Sequence, residues 1–187
     1  MSRLPEPVRD AVPEALRESF DALIEKSGGT MPLGPGSVAA LSPKMALERF
    51  HLSGYVRWGL SVKPSIQELA ILVTARETNC PYVWNAHAQD ARKAGVSDEL
   101  ISAIRDDQPL PEAPQDQEAV IKLVSEILTT HRVSEPTFAQ VYEVFGLHNL
   151  VDLIALTGQY VTNGAFINAF ELELPPGGSE PLLPSRN

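Results

Sequence analysis

The chain has 187 residues, 43% of them hydrophobic, with one cysteine and a formal net charge of −9. That length suits one domain with a sizeable core. The single cysteine excludes an internal disulfide and a multi-cysteine metal site, and the negative charge argues against a nucleic-acid partner, since no basic stretch is denser than Arg92-Lys93.

The predicted elements are helical from end to end. Val8, Val12, Leu16, Phe20, Leu23 and Ile24 recur near helical spacing, which predicts a first helix over 7–26, stopped by Gly28-Gly29. TMPLGPGS reads as a loop. Ser42-Pro43 is an N-cap followed by proline at the first helical position, and this second helix runs to about Gly59. A third begins at Ser65 and includes LAILVTA (69–75), apolar nearly all round, as expected of a helix buried in the middle of the fold. A strand is the competing reading for Ile71-Leu72-Val73; the start signal and the span favour helix. A fourth helix runs from Pro81 to Gly95 and a fifth over 98–105. DDQPLPEAPQ is the longest linker. A sixth helix spans 117–131, a seventh 134–146, and a last, mostly apolar one 147–170. The tail beyond is expected to be mobile. The fold class is therefore all-α, in one domain with about eight helices. Its surplus of apolar helix surface points to a subunit interface. No apolar run approaches the roughly 18 residues of a membrane span. The N-terminus lacks an apolar leader core, so a cytoplasmic location without a membrane partner is expected.

The chemistry-bearing residues concentrate in and before CPYVWNAH (80–87). Proline at 81 makes Cys80 the N-cap of its helix. At about 100° per residue Cys80, Trp84, His87, Ala91 and Ala94 share one stripe, with Val83 beside it. Cys80 and His87 stand about 10 Å apart along the axis, too far for a direct thiol–imidazole pair. A thiol at a helix N-terminus faces free amides and the positive end of the dipole, which favours thiolate; the plainer reading is a small buried residue. His87 is likewise either a satisfied core histidine or an acid–base group. Glu68 fits Ser65-x-x-Glu68, a capping box, and equally fits a proton carrier at the head of a dry helix. Tyr82 sits on the next face and offers a hydroxyl. Arg76 and Glu77 read as surface residues. His51, His131 and His148 show no metal-ligand spacing, so no metal is expected. Tyr160 and Asn163 turn polar atoms from the apolar last helix toward a cavity or interface, although packing alone is the simpler account.

Taken together, SIQELAILVTARETNCPYVWNAHAQDARKAGVSDELISAIR (65–105) resembles the carboxymuconolactone decarboxylase family, which shares its fold with alkylhydroperoxidase D (AhpD). The matching features are the glutamate heading an apolar helix, the cysteine twelve positions later, aromatic-x-Trp-x-x-His, and Ala91 with Ala94-Gly95. The ending GQYVTNGAFINAFELELPP is similar as well. The resemblance implies an AhpD-like core over 42–175, preceded by an N-terminal helix and loop (1–41) and followed by a mobile tail (176–187). It also implies a homotrimer or hexamer. In the redox branch of that family a glutamate, a Cys-x-x-Cys pair and a histidine act together. Glu68, Cys80 and His87 match, but Val83 stands where the attacking cysteine belongs, so a two-cysteine cycle is chemically unavailable. The decarboxylase branch needs no cysteine and no cofactor. There His87 and Glu68 would manage protons or an oxyanion, and Tyr82, Val83 and Trp84 would shape a pocket for a small-molecule substrate. The motif offers no obvious arginine for a substrate carboxylate. The expected function is a cofactor-free acid–base enzyme, a lyase, decarboxylase or isomerase, on a small organic acid or lactone. The alternatives are a one-cysteine thiol peroxidase using Cys80 and a non-catalytic small-molecule-binding oligomer.

Overall fold

Proline opens most of the helices, where its missing N–H costs nothing and its fixed φ fits the first turn. In the computed structural model, which describes residues 2–174 and 180–186, the helices are α1 (Arg17–Lys26), α2 (Pro35–Ala39), α3 (Pro43–Trp58), α4 (Pro64–Glu77), α5 (Pro81–Lys93), α6 (Asp98–Arg105), α7 (Gln115–Thr129) and α8 (Glu135–Ala169). No strand occurs among the described residues, and Ile71-Leu72-Val73 is helical. None of the helices is long and apolar enough to cross a membrane.

α4 is the axle. Every side chain from Ser65 to Arg76 is buried, and α5, α7 and α8 pack around it. Fully burying each of its leucines and isoleucines contributes about 1.5–3 kcal/mol. The corner between α4 and α5 is tight. Asn79 takes the left-handed conformation (φ 49°), and the amides of Cys80 and Asn79 donate to the carbonyls of Ala75 (2.8 Å) and Arg76 (3.1 Å). This Schellman closure satisfies the end of α4 and sends α5 back along it. The head of α4 and the middle of α5 are thereby brought side by side. Gly95 (φ 95°) closes α5 in the same way.

Around α4 lies the main core, which includes Trp84, Leu100, Leu123 and Leu153. A second cluster forms from Val12, Phe20, Leu23, Ala39, Ala40 and Ala46, with Phe166 packed against it. The N-terminal segment thus shares its core with α3 and the end of α8.

Four expectations change. The first helix starts at Arg17; the residues before it form two 3₁₀ turns. Pro13 explains this, because it drives Val12 into an extended conformation (φ −101°, ψ 138°) and removes an amide. The TMPLGPGS loop contains the start of α2. The tail is not free over 180–186: Leu183 is buried in the main core, and the Glu180 carboxylate pairs with Arg92 at 2.6 Å. Arg186 pairs with Glu77 and Asp107. Arg76, expected at the surface, is only 3% exposed beneath this segment; it pairs with Asp107 and donates to the Pro184 carbonyl at 2.6 Å. The two guanidinium groups hold the Asp107 carboxyl well below the usual carboxylate range. Residues 176–179 and 187 of the expected mobile tail lie outside the described residues.

α8 consists of two helical stretches that meet at a kink at Gly146, where the seventh predicted helix is expected to end and the last to begin. That residue sits at φ 75°, ψ 168°, a region open essentially to glycine alone. An added Cβ would meet nothing within 4 Å, so the constraint is purely one of backbone conformation. Gly146→Ala is expected to destabilise the fold by about 1–3 kcal/mol without leaving a void. Urea unfolding monitored by circular dichroism, with an unchanged m-value, checks this.

Candidate functional site

Glu68 is where four helices meet. Its helix starts at Pro64 with Lys63 at the N-cap and no side-chain cap. The capping box expected for Ser65 and Glu68 is therefore not made; proline at 64 moves the helix start one residue earlier. Freed from that role, the Glu68 side chain (5% exposed) turns inward. Its Oε1 accepts from Arg57 Nη1 of α3 at 2.9 Å, and its Oε2 lies 2.8 Å from His87 Nδ1 of α5.

This pairing fixes the imidazole. A carboxylate bound to arginine presents only acceptors, so Nδ1 carries the proton and Nε2 is the basic nitrogen. Nε2 lies 3.3 Å from the Tyr160 hydroxyl of α8. The two rings meet edge to face, with centroids 5.2 Å apart. Burial pushes the Tyr160 hydroxyl well above its ordinary value; the Glu68 charge adds to this, and Arg57 opposes it. Tyr160 is thus held as a hydroxyl that donates toward Nε2. The result is a line of groups from Arg57 through Glu68 and His87 to Tyr160.

Tyr160 is the end that meets open space. A cavity of about 520 Å³ lies between α1, α2, α3 and α8, and Arg49, Phe50, Arg57, Gln159, Tyr160 and Asn163 are among its walls. The volume falls in the range of small-molecule sites. Apolar walls come from Leu23, Pro32, Pro35, Ala39 and Ala46. Arg57 stacks on Trp58 (4.3 Å to the ring centroid) at this cavity, and Trp58 is 78% exposed.

Of the residues expected to act, Glu68 and His87 come together. Cys80 occupies the expected N-cap but is completely buried. Its burial pushes the thiol pKa up, and the backbone amides of Val83 and Tyr82 do not offset this. The thiolate expected from the helix dipole is thus disfavoured: desolvation outweighs the field of the first turn. The expected pocket residues lie elsewhere. Val83 and Trp84 are 4% and 1% exposed within the main core, and Tyr82 packs under the loop before α2, where a Cβ on Gly34 would come within 2.8 Å of its hydroxyl. None of the three lines the cavity. Among the described residues no three His, Cys, Asp or Glu side chains converge as a metal site requires.

Arg49 and Arg57 went unnoticed in the sequence because they lie outside the 65–105 segment. The one available signal was Tyr160 and Asn163, polar residues on an otherwise apolar helix. Packing α8 against α3 and α5 makes that signal meaningful.

Comparison with known proteins agrees with this architecture. Residues 43–121 match the model of the carboxymuconolactone decarboxylase family. No curated protein matches the chain. Among solved structures, the chain is similar to the alkylhydroperoxidase AhpD core of an uncharacterized peroxidase-related protein from Ralstonia eutropha JMP134. That pair has a TM-score of 0.68 at 17% identity, over 94% of this chain and 93% of that one. It is also similar to the debrominase Bmp8 in its apo form, with a TM-score of 0.64 at 12% identity over 87% of each chain. A third is a protein of unknown function from Agrobacterium tumefaciens with an AhpD antioxidant-defence name. There the TM-score is 0.63 at 16% identity, over 73% of this chain and 94% of that one. At such identities the likeness establishes the fold alone. Residues 43–121 thus match the carboxymuconolactone decarboxylase family model, and the chain as described has an AhpD-like all-helical fold.

Proposed function

We propose that the protein is an acid–base enzyme acting on a small organic acid or lactone, with Glu68, His87 and Tyr160 as its proton relay. The observation that carries this reading is the unbroken line from the Glu68 carboxylate (2.8 Å to Nδ1) through Nε2 to the Tyr160 hydroxyl (3.3 Å) at the wall of a cavity.

The relay works in both directions. When a proton leaves a substrate carbon, the Tyr160 oxygen takes it while passing its own proton to His87 Nε2. The imidazolium so formed is stabilised by Glu68, and Arg57 keeps Glu68 in place. When a carbanion or enolate must be quenched, the same transfers run backwards: imidazolium to Tyr160, Tyr160 to carbon. Tyr160 is suited to this because burial keeps it protonated at rest. The apolar side chains of the cavity wall lower the local polarity and so strengthen each electrostatic contact.

Cys80 takes no part in this chemistry. It is sealed in the core, and its thiol is harder to ionise than a free one, which counts against the one-cysteine peroxidase. We also propose that the protein works as a trimer or hexamer. Leu52, Tyr55 and Trp58 of α3 and Leu147, Val151 and Ile154 of α8 are exposed apolar side chains, more than a lone chain is expected to leave in water.

His87→Ala and Tyr160→Phe are each expected to lower proton transfer by about 10²–10⁴-fold. The measurement is deuterium exchange at carbons beside the carbonyl, followed by NMR across a panel of small lactones and keto acids. Cys80→Ala is expected to leave exchange unchanged. Exchange that survives both His87→Ala and Tyr160→Phe would remove the relay. Iodoacetamide is expected to leave native Cys80 unmodified under conditions that fully alkylate free cysteine, and to modify it once urea unfolds the chain; mass spectrometry reads both states. Sedimentation velocity is expected to show one species of three or six chains, and a monomer at micromolar concentration would contradict the assembly.

A further inference from the structure

The two arginines of the cavity differ in what their charge faces. Arg57 is neutralised by Glu68, its partner at 2.9 Å. Arg49, two turns earlier on α3, has no carboxylate beside it among the described residues; its Nη2 donates to the Asn163 amide oxygen at 2.7 Å. Burial pushes the Arg49 guanidinium pKa down. A half-buried cation facing a neutral amide is an uncompensated charge, and such charges are costly unless an anion joins them.

The surroundings of Arg49 are built. Gln159 Nε2 donates to the same Asn163 oxygen at 3.2 Å, and Gln159 is itself only 9% exposed. Two donors converging on Asn163 Oδ1 fix the amide orientation and leave its Nδ2 hydrogens free among the described residues. Phe166 lies under the guanidinium at 5.4 Å. Arg49, Gln159 and Asn163 all line the cavity that Tyr160 lines. Tyr160 and Asn163 stand three residues apart on α8, which is about 4.5 Å along the axis.

We infer that Arg49, with Asn163 and Gln159, is a carboxylate-binding subsite, and that the substrate is an apolar monocarboxylate whose reacting carbon lies a few bonds from that carboxylate. The assignment rests on this cavity being the substrate site of the relay. The charge balance sets the class: with Arg57 already paired, the cavity holds one free positive charge among the described residues and suits one negative charge on the ligand. A neutral analogue leaves Arg49 unpaired. A dianion brings a second charge with no free cation to meet it.

The placement also selects among reactions. A carboxylate held at Arg49 is a handle, roughly one helical turn from the proton relay. It is not positioned to be the group that leaves. Removing a proton from one carbon and returning it to another needs only the relay, balances without an oxidant or reductant, and keeps the carboxylate. The cavity is therefore suited to a proton-shift isomerisation of a monoanion more than to decarboxylation.

The test uses three probes of one shape: cyclohexanecarboxylate, cyclohexanecarboxamide and cis-cyclohexane-1,2-dicarboxylate. Each is titrated calorimetrically into the intact protein. The monocarboxylate is expected to bind about ten- to hundredfold more tightly than the amide, the worth of a charge-assisted contact, and more tightly than the dianion. Arg49→Met is expected to abolish that preference and Arg49→Lys to keep part of it. Equal affinity for acid and amide would overturn the subsite, as would tighter binding of the dianion, an Arg49→Met protein that keeps the preference, or no binding of any probe. Should Arg49→Met fail to fold, the three-probe comparison on the native protein decides alone. Tyr160→Phe is expected to keep the acid preference while losing exchange. If the preference holds but the native protein exchanges no substrate proton, the subsite stands and the acid–base reading falls.

Discussion

A carboxylate placed in a dry core must be paired, and the fold around Glu68 is arranged to pair it twice. Arg57 reaches it from the last turn of α3 and His87 from the middle of α5. Removing one partner of such a buried pair typically costs about 3–5 kcal/mol, because the remaining charge is stranded. That constraint ties α3, α4 and α5 into one geometry. It also sets which imidazole nitrogen faces α8, and hence what Tyr160 touches. The structural need and the chemical opportunity are one interaction: the contact that makes Glu68 tolerable in the core makes Nε2 of His87 a base.

The same helices carry the cavity. α3 contributes both arginines, and α8 contributes Gln159, Tyr160 and Asn163. In the proposed reading one arginine holds the relay in place and the other is left for a ligand. A division of labour between two identical side chains on one helix comes from what each faces. Arg57 looks into the core at a carboxylate, while Arg49 looks across the cavity at an amide.

Much of this architecture was legible in the residues. α4 is buried on every side, as its unbroken apolar run implied, and the Lys-Ala-Gly-Val-Ser stop closes α5 as expected. Glu68 and His87, picked out by their place in the motif, lie 2.8 Å apart. Other features depend on contacts between distant residues, which spacing does not encode. Ser65-x-x-Glu68 has the letters of a capping box, but Pro64 shifts the helix start and leaves the glutamate free. Cys80 sits at a helix N-terminus as predicted, yet its burial, to which contact with α8 at Gly164 contributes, pushes the thiol pKa up. Arg49 and Arg57 have no local signature at all. Their roles exist only after α3 has docked on α4 and α8.

Arg76 shows how residues late in the sequence complete a helix made much earlier. It lies in the central helix, and its guanidinium is satisfied by Asp107 and by the carbonyl of Pro184. During synthesis α4 is made long before residue 184 emerges. Until then this cation has a solvated end and an incomplete set of acceptors. The core can therefore gather early, but burial of that end of α4 waits for the 180–186 segment. The seam is closed by residues made more than a hundred positions after the helix they cover.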